Sequence, residues 1–212
     1  MSECPSCGVE LETPLGCTAC GSLFELDGQP SPFEIFGLEP SWVIDATELR
    51  RRLLRFSRIV HPDYFGQATP QERERAETSS ALLNSAHEVL VDAVRRADWL
   101  VAALGGPSEA DERQMPQEFL IEVLEWNETL EEARDAGTGS GSAARTGLQQ
   151  LQDELEQRRG TTLRELGEVL EPLPESSDPV LSRARRLLNA IRYLDRALEQ
   201  IRALRLEDPS PR

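Results

Sequence analysis

The stretch ELRRRLLRFSRIVHPDYF, residues 48–65, constrains the fold of this chain more than any other. Asp45 can cap a helix here, with Glu48 three residues later in a capping-box pattern. Pro62 disfavours helical dihedrals in the residue before it, so the helix has to end near that point. The apolar residues recur at the spacing of one helix face, and they are Leu49, Leu53, Phe56 and Val60. The sequence therefore predicts an amphipathic helix over about 46–60.

A basic stripe lies roughly opposite this apolar face, formed by Arg51, Arg55 and Arg58. Residues 48–58 contain five arginines and one glutamate, a net charge of +4, while the remaining chain carries −19. An arginine stripe taken alone favours a solvated helix face. Because this stripe runs directly into a His61-Pro62-Asp63 loop, we interpret it as a surface for a small acidic patch on a protein partner.

The overall composition excludes several functions. A net charge of −15 is unsuited to broad nucleic-acid binding, because neutralising phosphates needs a basic footprint. All 23 basic residues are arginines, so the chain has no Walker A lysine and no Schiff-base lysine. No stretch has the length and apolarity of a membrane span, and the N-terminus has no signal-peptide pattern. We therefore expect a cytoplasmic protein with neither a nucleic-acid nor a membrane partner.

Two CxxCG knuckles near the N-terminus indicate a metal site, with Cys4, Cys7, Cys17 and Cys20 as its ligands. Four thiolates suit a closed, structural zinc site holding one ion. A single iron is the second choice, and two disulfides or four ordinary thiols are the non-metal alternatives. Residues 1–27, predicted to be a zinc-binding module, contain no Arg, Lys or His. That absence argues against a nucleic-acid-binding zinc ribbon.

Helix signals continue along the rest of the chain. Gly37 closes a short helix that begins at Pro32, and Thr69-Pro70-Gln71-Glu72 opens the helix after the His61-Pro62-Asp63 loop. Because a short loop joins this helix to the helix at about 46–60, the two helices should form an antiparallel hairpin with the loop exposed at its tip. Asp92 is a candidate cap for a further helix that ends at Leu104.

The C-terminal half predicts a three-helix bundle, with helices at 116–135, 148–170 and 179–206. A Gly/Ser-rich segment, 136–144, is expected to be a flexible linker, and Gly160 leaves open whether the second helix is one or two. Because no segment outside the cysteine module has clear strand periodicity, the predicted fold class is all-α.

The helix at 116–135 carries two apolar stripes. Phe119, Val123, Trp126 and Leu130 recur at core spacing. A different side carries Leu120, Ile121 and Leu124, continued by Glu125, Glu128 and Glu132. A helix that is apolar on two faces is either deeply buried or offers a binding patch, and the residues alone favour burial.

Enzyme chemistry finds little support in the sequence. The chain has two histidines, His61 and His87, and His87 fits a packing or surface position within a helix. His61 and Asp63 have no third ligand, Gly-rich cradle or nucleophile elbow nearby. A metal-dependent hydrolase is therefore disfavoured.

His-Pro-Asp directly after a basic amphipathic helix resembles the signature loop of a J-domain. The segments FEIFGL, HPDYF, RADWL and FLIEVLE together resemble the HscB family, J-domain co-chaperones of iron–sulfur cluster assembly, over about residues 31–206. The tetracysteine module resembles the one on mitochondrial-type members. General DnaJ proteins are less similar, because the chain lacks their Gly/Phe-rich linker and their repeated CxxCxGxG modules.

The resemblance implies a J-domain over 31–104 and a scaffold-binding bundle over 112–207. It implies a co-chaperone, not an enzyme, that stimulates ATP hydrolysis by a DnaK/HscA-type chaperone. His61, Pro62 and Asp63 would contact that chaperone, with Arg51, Arg55 and Arg58 steering the encounter. The implied partner of the bundle is an IscU-type scaffold, bound through Leu120, Ile121, Leu124, Glu125, Glu128, Glu132 and Tyr193. The alternatives are a zinc-ribbon interaction adaptor, or a J-domain co-chaperone with a different client.

Overall fold

A computed structural model describes residues 3–26, 28–65, 68–113, 115–136 and 142–207. The described chain is all-helical, as predicted, apart from two isolated β-bridges in the cysteine module, Glu3 with Glu10 and Gly16 with Leu23. It divides into two compact units, Met1–Leu100 and Val101–Arg212. The domain boundaries expected from the sequence stay a prediction. Among the described residues, no helix is both long enough and apolar enough to cross a membrane.

The first unit contains four helices, the last of which continues into the second unit. They are α1 (Pro32–Ile35), α2 (Ala46–Val60), α3 (Pro70–Val91) and α4 (Ala93–Ala103), and a short 3-10 helix, Pro62–Phe65, follows α2.

Local capping explains where these helices begin. The Asp45 carboxylate accepts hydrogen bonds from the backbone N–H groups of Thr47 and Glu48, at 2.8 and 3.1 Å. Thr69 and Glu72 form a complete capping box at the start of α3, with Pro70 at the first helical position. The Glu48 side chain, expected to complete a box with Asp45, instead accepts hydrogen bonds from Arg51 and Arg52.

The hairpin of α2 and α3 closes over an aromatic and aliphatic core. Phe36 packs against Phe56 with ring centroids 6.1 Å apart, and both rings are fully buried. Leu53, expected on the same apolar stripe, is half-buried. The other buried side chains of this core include Phe33, Leu49, Val60, Ala76, Leu83, Ala86 and Leu90. The hairpin therefore leaves the segment between its helices at an exposed tip.

The second unit is a bundle of α5 (Gln117–Ala136), α6 (Ser142–Leu170) and α7 (Val180–Glu207), each packed against the other two. Gly160 lies inside α6 without breaking it, so the predicted second helix is a single one. The expected linker is shorter than predicted, because Ala136 belongs to α5 and residues 142–144 belong to α6. Its remaining residues, 137–141, lie outside the described part of the chain.

The bundle core is contributed by all three helices. Phe119, Trp126 and Leu130 of α5 are buried, as their spacing predicted, and Val123 packs against them partly buried. They meet Leu151 and Leu155 of α6, together with Ala190, Leu194, Ala197, Leu198 and Ile201 of α7. Because this core uses one stripe of α5, the second apolar stripe faces away from it.

Candidate partner-binding sites and metal centre

The four cysteines converge on one point. Their sulfur atoms all lie within 4.8 Å of one another. The sulfurs of Cys4 and Cys20 are 3.7 Å apart, and those of Cys7 and Cys17 are 3.6 Å apart. In a tetrahedron with Zn–S bonds of about 2.3 Å, neighbouring sulfurs are separated by about 3.8 Å. The donor set and its spacing therefore fit one tetrahedral metal ion of the zinc type.

Two equivalent turns build this cluster. In each knuckle the glycine after the second cysteine donates its backbone N–H to the carbonyl of the first, Gly8 to Cys4 at 2.8 Å and Gly21 to Cys17 at 2.9 Å. Gly8 and Gly21 have φ angles of 74° and 76°, a conformation that side chains larger than glycine resist. The CxxCG pattern thus turns each pair of thiols towards the same side.

The surroundings of the four cysteines shift the pKa values of two of their thiols in opposite directions. Hydrogen bonds from the Ser22 hydroxyl and backbone lower the pKa of Cys20 to about 6. The pKa of Cys7 rises to about 12: the Val9 backbone N–H favours its thiolate, but burial and the neighbouring thiols Cys17, Cys4 and Cys20 outweigh that bond. A divalent cation would remove this conflict, because it stabilises all four thiolates at once.

The cysteine module packs directly on the helical hairpin. Leu15, between the two knuckles, is fully buried. A Cβ on Gly37 would lie 2.3 Å from the Glu12 carbonyl oxygen, so the backbones of the module and of the α1–α2 connection touch. Ion pairs join Glu12 to Arg55 of α2 and Glu25 to Arg75 of α3. The metal site is therefore part of a module that packs on the helical hairpin.

The His61-Pro62-Asp63 loop lies at the hairpin tip, as predicted. The His61 side chain is 52% exposed and the Asp63 side chain 88% exposed. The Asp63 backbone N–H donates to Nδ1 of His61 at 3.2 Å. The His61 ring lies edge-on to the Tyr64 ring, with ring centroids 6.0 Å apart. Pro62 opens the 3-10 turn. The histidine ring is therefore held in one orientation while the Asp63 carboxylate faces solvent.

The three predicted arginines on α2 differ in their surroundings. Arg51 is exposed and pairs with Glu48, whose carboxyl pKa falls to about 2 because it accepts hydrogen bonds from Arg51 and Arg52. Arg55 is partly covered by Glu12, and Arg58 is exposed. The stripe is present, but its charge is most open at the end nearest the loop.

The predicted scaffold-binding residues of α5 form an exposed apolar strip. Leu120 is 42% exposed, Ile121 49% and Leu124 63%, so the interpretation that favoured burial of this face is wrong. Glu125, Glu128 and Glu132 are exposed and continue the strip along the helix. Tyr193 of α7 is 37% exposed and its ring lies edge-on to that of Phe119, with centroids 5.7 Å apart. Tyr193 therefore stands alongside α5, while the binding role of these residues stays a prediction.

The other histidine has a packing role. His87 is half-buried in α3, with its ring 6.3 Å from that of Phe36. It is therefore a packing residue, as its helix position predicted.

The sequence did not predict three features, two in the unit Met1–Leu100 and one in the bundle. Glu12 faces Arg55 across a separation of 43 residues, and no local pattern reports such a pair. Arg52 donates to the carbonyl oxygens of Phe36 and Gly37, at 2.7 and 2.8 Å, which anchors the end of α1 on α2. In the bundle, an arginine-lined cleft adjoins Tyr193.

Comparison with known proteins agrees with this architecture. Residues 115–202 match the family model of the HSCB C-terminal oligomerisation domain. The chain is 25% identical to mouse iron–sulfur cluster co-chaperone protein HscB over 205 residues, covering 94% of this chain and 81% of the mouse protein.

Two solved structures share the fold. The crystal structure of human co-chaperone protein HscB matches with a TM-score of 0.75 at 24% identity, covering 97% of this chain and 99% of the human chain. Chaperone HscB from Vibrio cholerae matches with a TM-score of 0.69 at 21% identity, covering 84% and 99%.

The fold and the exposed loop define the class first: an all-helical protein with an N-terminal helical hairpin and a C-terminal three-helix bundle. Residues 115–202 match the C-terminal domain of HscB proteins, and most of the chain is similar to a mouse HscB co-chaperone, here with an N-terminal tetracysteine module.

Proposed function

We propose that this protein is a co-chaperone that brings an iron–sulfur cluster scaffold of the IscU type to a DnaK/HscA-type chaperone and stimulates that chaperone's ATPase. The observation that carries the proposal is the His61-Pro62-Asp63 loop, exposed at the tip of the hairpin beside a basic helix. It occurs in a chain similar over 94% of its length to an iron–sulfur cluster co-chaperone.

The loop supplies contacts, while hydrolysis takes place in the partner. The Asp63 carboxylate faces solvent and can accept a bidentate hydrogen bond from an arginine of the chaperone. Pro62 stiffens the turn, and the backbone contact at Nδ1 orients the His61 ring. Arg51, Arg55 and Arg58 attract an acidic chaperone surface during the encounter, and Arg58 is exposed at the end of the stripe nearest the loop.

The bundle supplies the scaffold site. The apolar strip of Leu120, Ile121 and Leu124 offers the desolvating centre that protein interfaces require, and Tyr193 adds an aromatic anchor beside it. Glu125, Glu128 and Glu132 favour a basic partner surface around that centre.

Zinc has a structural role in this proposal. Cys4, Cys7, Cys17 and Cys20 would hold one ion as a closed site without an open position for substrate. The ion would cross-link the two knuckles, which in turn brace the hairpin through Glu12 and Leu15.

The test is stimulation of a DnaK/HscA-type ATPase by the purified protein and by loop variants. His61→Gln and Asp63→Asn should each abolish stimulation, because the loop contacts are lost. The melting temperature should change little, since both side chains lie at an exposed tip. Glu77→Gln, at an exposed position on α3, is the matched control and should stimulate normally.

Normal stimulation by the His61 variant would contradict the J-domain function, leaving an interaction adaptor as the alternative. Stimulation by the wild type without any affinity for the scaffold would instead indicate a different client.

A further inference from the structure

The cleft beside Tyr193 is basic in an otherwise acidic protein. It has a volume of about 480 Å³ and lies between residues 109–113, Met115 and one side of α7. Its lining contains three arginines, Arg113, Arg192 and Arg196, against one carboxylate, Glu109. Asp111 adjoins Arg113, and Glu112 pairs with Arg186, so the cleft and its wall hold four arginines against three carboxylates. The whole chain carries −15, so this cluster differs in sign from the protein as a whole.

The cleft is a built feature of the fold. Asn189 at its floor is 6% exposed and donates from its side-chain amide to the Glu112 carbonyl at 2.7 Å. Arg192 pairs with Glu109, and Arg186 with Glu112 at 3.5 Å, so three side chains of α7 hold the 109–112 segment in place. Arg113 and Arg196 stand exposed at the rim. The arginine side chains therefore lie on two sides of the cleft: Arg113 follows the 109–112 segment, and Arg192 and Arg196 belong to α7.

Tyr193 links the cleft to the proposed scaffold site. Its ring lines the cleft and also meets Phe119 at the start of α5, next to Leu120. From Leu120, the acidic strip of α5 extends in the opposite direction as far as Glu132, about 18 Å along the helix axis at 1.5 Å per residue. The exposed surface therefore changes along its length from basic, through apolar and aromatic, to acidic.

We propose that this cleft is the second half of the scaffold-binding surface and receives an acidic segment of the scaffold. The inference rests on the proposed function and adds a chemical description of the partner to it. A complementary partner carries acidic, apolar and basic groups in matching order. Opposite charges at the two ends favour one orientation of the bound partner, because a reversed complex would bring like charges together at both.

The neighbourhood of the cleft favours a protein over other anionic ligands. An aromatic ring and an adjoining apolar strip offer contacts that a small inorganic anion would leave unused. A nucleic acid would follow a basic track, but on the other side of Tyr193 it would meet Glu125, Glu128 and Glu132. A folded partner with its own charge pattern satisfies both ends.

The test compares charge-matched variants of the full chain by titration with an IscU-type scaffold. Arg113→Glu combined with Arg196→Glu should weaken scaffold binding roughly ten-fold at about 50 mM salt. The loss of affinity should be smaller at high salt, and it should come mainly from a slower association rate. The control, Arg164→Glu combined with Arg202→Glu, changes the net charge equally at exposed sites on α6 and α7 outside this cleft. It should bind the scaffold as the wild type does.

The remaining outcomes separate this inference from the proposed function. If Leu120→Ala with Leu124→Ala weakens scaffold binding while the Arg113/Arg196 variant does not, the cleft is not part of the site. If neither pair affects binding, the scaffold site itself is elsewhere. If the arginine variant instead loses affinity for a labelled single-stranded oligonucleotide and keeps its scaffold affinity, the cleft is a nucleic-acid site and the inference is overturned.

Discussion

The Glu12–Arg55 ion pair changes what the basic face of α2 offers a partner. Arg55 lies in the middle of the predicted stripe, yet its guanidinium is engaged by a carboxylate of the cysteine module. Arg58, one turn closer to the His61-Pro62-Asp63 loop, is exposed. An exposed charge steers an approaching acidic surface more effectively than one already neutralised by its own chain.

At the residue scale we therefore expect unequal effects along the stripe. Arg58→Gln should lower chaperone ATPase stimulation more than Arg55→Gln, and the difference should shrink as salt is raised. ATPase stimulation by the two variants is measured at a limiting concentration of the co-chaperone, where association with the chaperone determines the rate.

Glu12→Gln provides the matched test of this explanation. It frees Arg55 while every residue of α2 and the buried Leu15 contact are kept, so it should raise stimulation at low salt relative to the wild type. Glu10→Gln, which removes an exposed charge from the same module, should do so less. Equal losses from Arg55→Gln and Arg58→Gln would show that Glu12 does not mask Arg55.

Among the helices, α5 has the clearest division of labour. One stripe, with Phe119, Trp126 and Leu130, fills the bundle core. The neighbouring stripe, with Leu120 and Leu124, stays exposed although its side chains are just as apolar. Contiguous exposed apolar side chains next to an aromatic ring mark an interaction surface more often than a structural one.

Alanine at Leu120, Leu124 and Tyr193 together should therefore remove scaffold affinity, by several kcal/mol, since such anchors each contribute about 1–2 kcal/mol. The measurement is calorimetric titration with the scaffold. The free energy of unfolding should fall much less, with most of that loss coming from the Tyr193 ring against Phe119. Chaperone stimulation in the absence of scaffold should not change.

Leu206→Ala is the control for this variant. Leu206 is an exposed apolar residue on α7 that is not among the predicted scaffold-binding residues, and its removal should leave scaffold binding intact. Unfolding of the triple variant would mean that the three residues belong to the bundle core, which would contradict their role as an exposed binding surface.

The helices were predictable because their signals are local. Asp45, Thr69 and Asp92 cap as the sequence indicated, and the core stripe of α5 follows from its spacing. The packing of the cysteine module was not predictable, because Glu12 and Arg55 meet across 43 residues. The exposure of Leu120 was not predictable from periodicity either, because it depends on which side of α5 meets α6 and α7.

At the scale of the whole molecule, the two helical units should differ in how much their stability depends on the metal ion of the cysteine module. The cysteine cluster and all its described contacts with helices lie within Met1–Leu100, whereas the core of Val101–Arg212 is aliphatic and aromatic and contains no metal-ligand cluster among its described residues. Binding energy of a structural ion becomes folding energy for the elements it orders. Loss of metal should therefore act on one unit and spare the other.

The protein should contain about one zinc per chain and no visible absorption band, because four thiolates with sulfur separations of 3.6 and 3.7 Å fit a closed zinc site. Metal analysis and the absorption spectrum check this, and an iron–thiolate band would overturn it.

Removing the ion with a chelator, or replacing Cys4 by Ser, should loosen the knuckles. Glu12 and Leu15 would then lose their fixed positions on α2, so α2 and α3 should exchange amide hydrogens faster. The exchange of α5, α6 and α7 should stay within error of the metal-bound protein. Ser6→Ala, beside the cluster but not a ligand, should retain zinc and the wild-type exchange pattern. Unchanged exchange in α2 after complete zinc removal would show that the module does not brace the hairpin, whatever metal it holds.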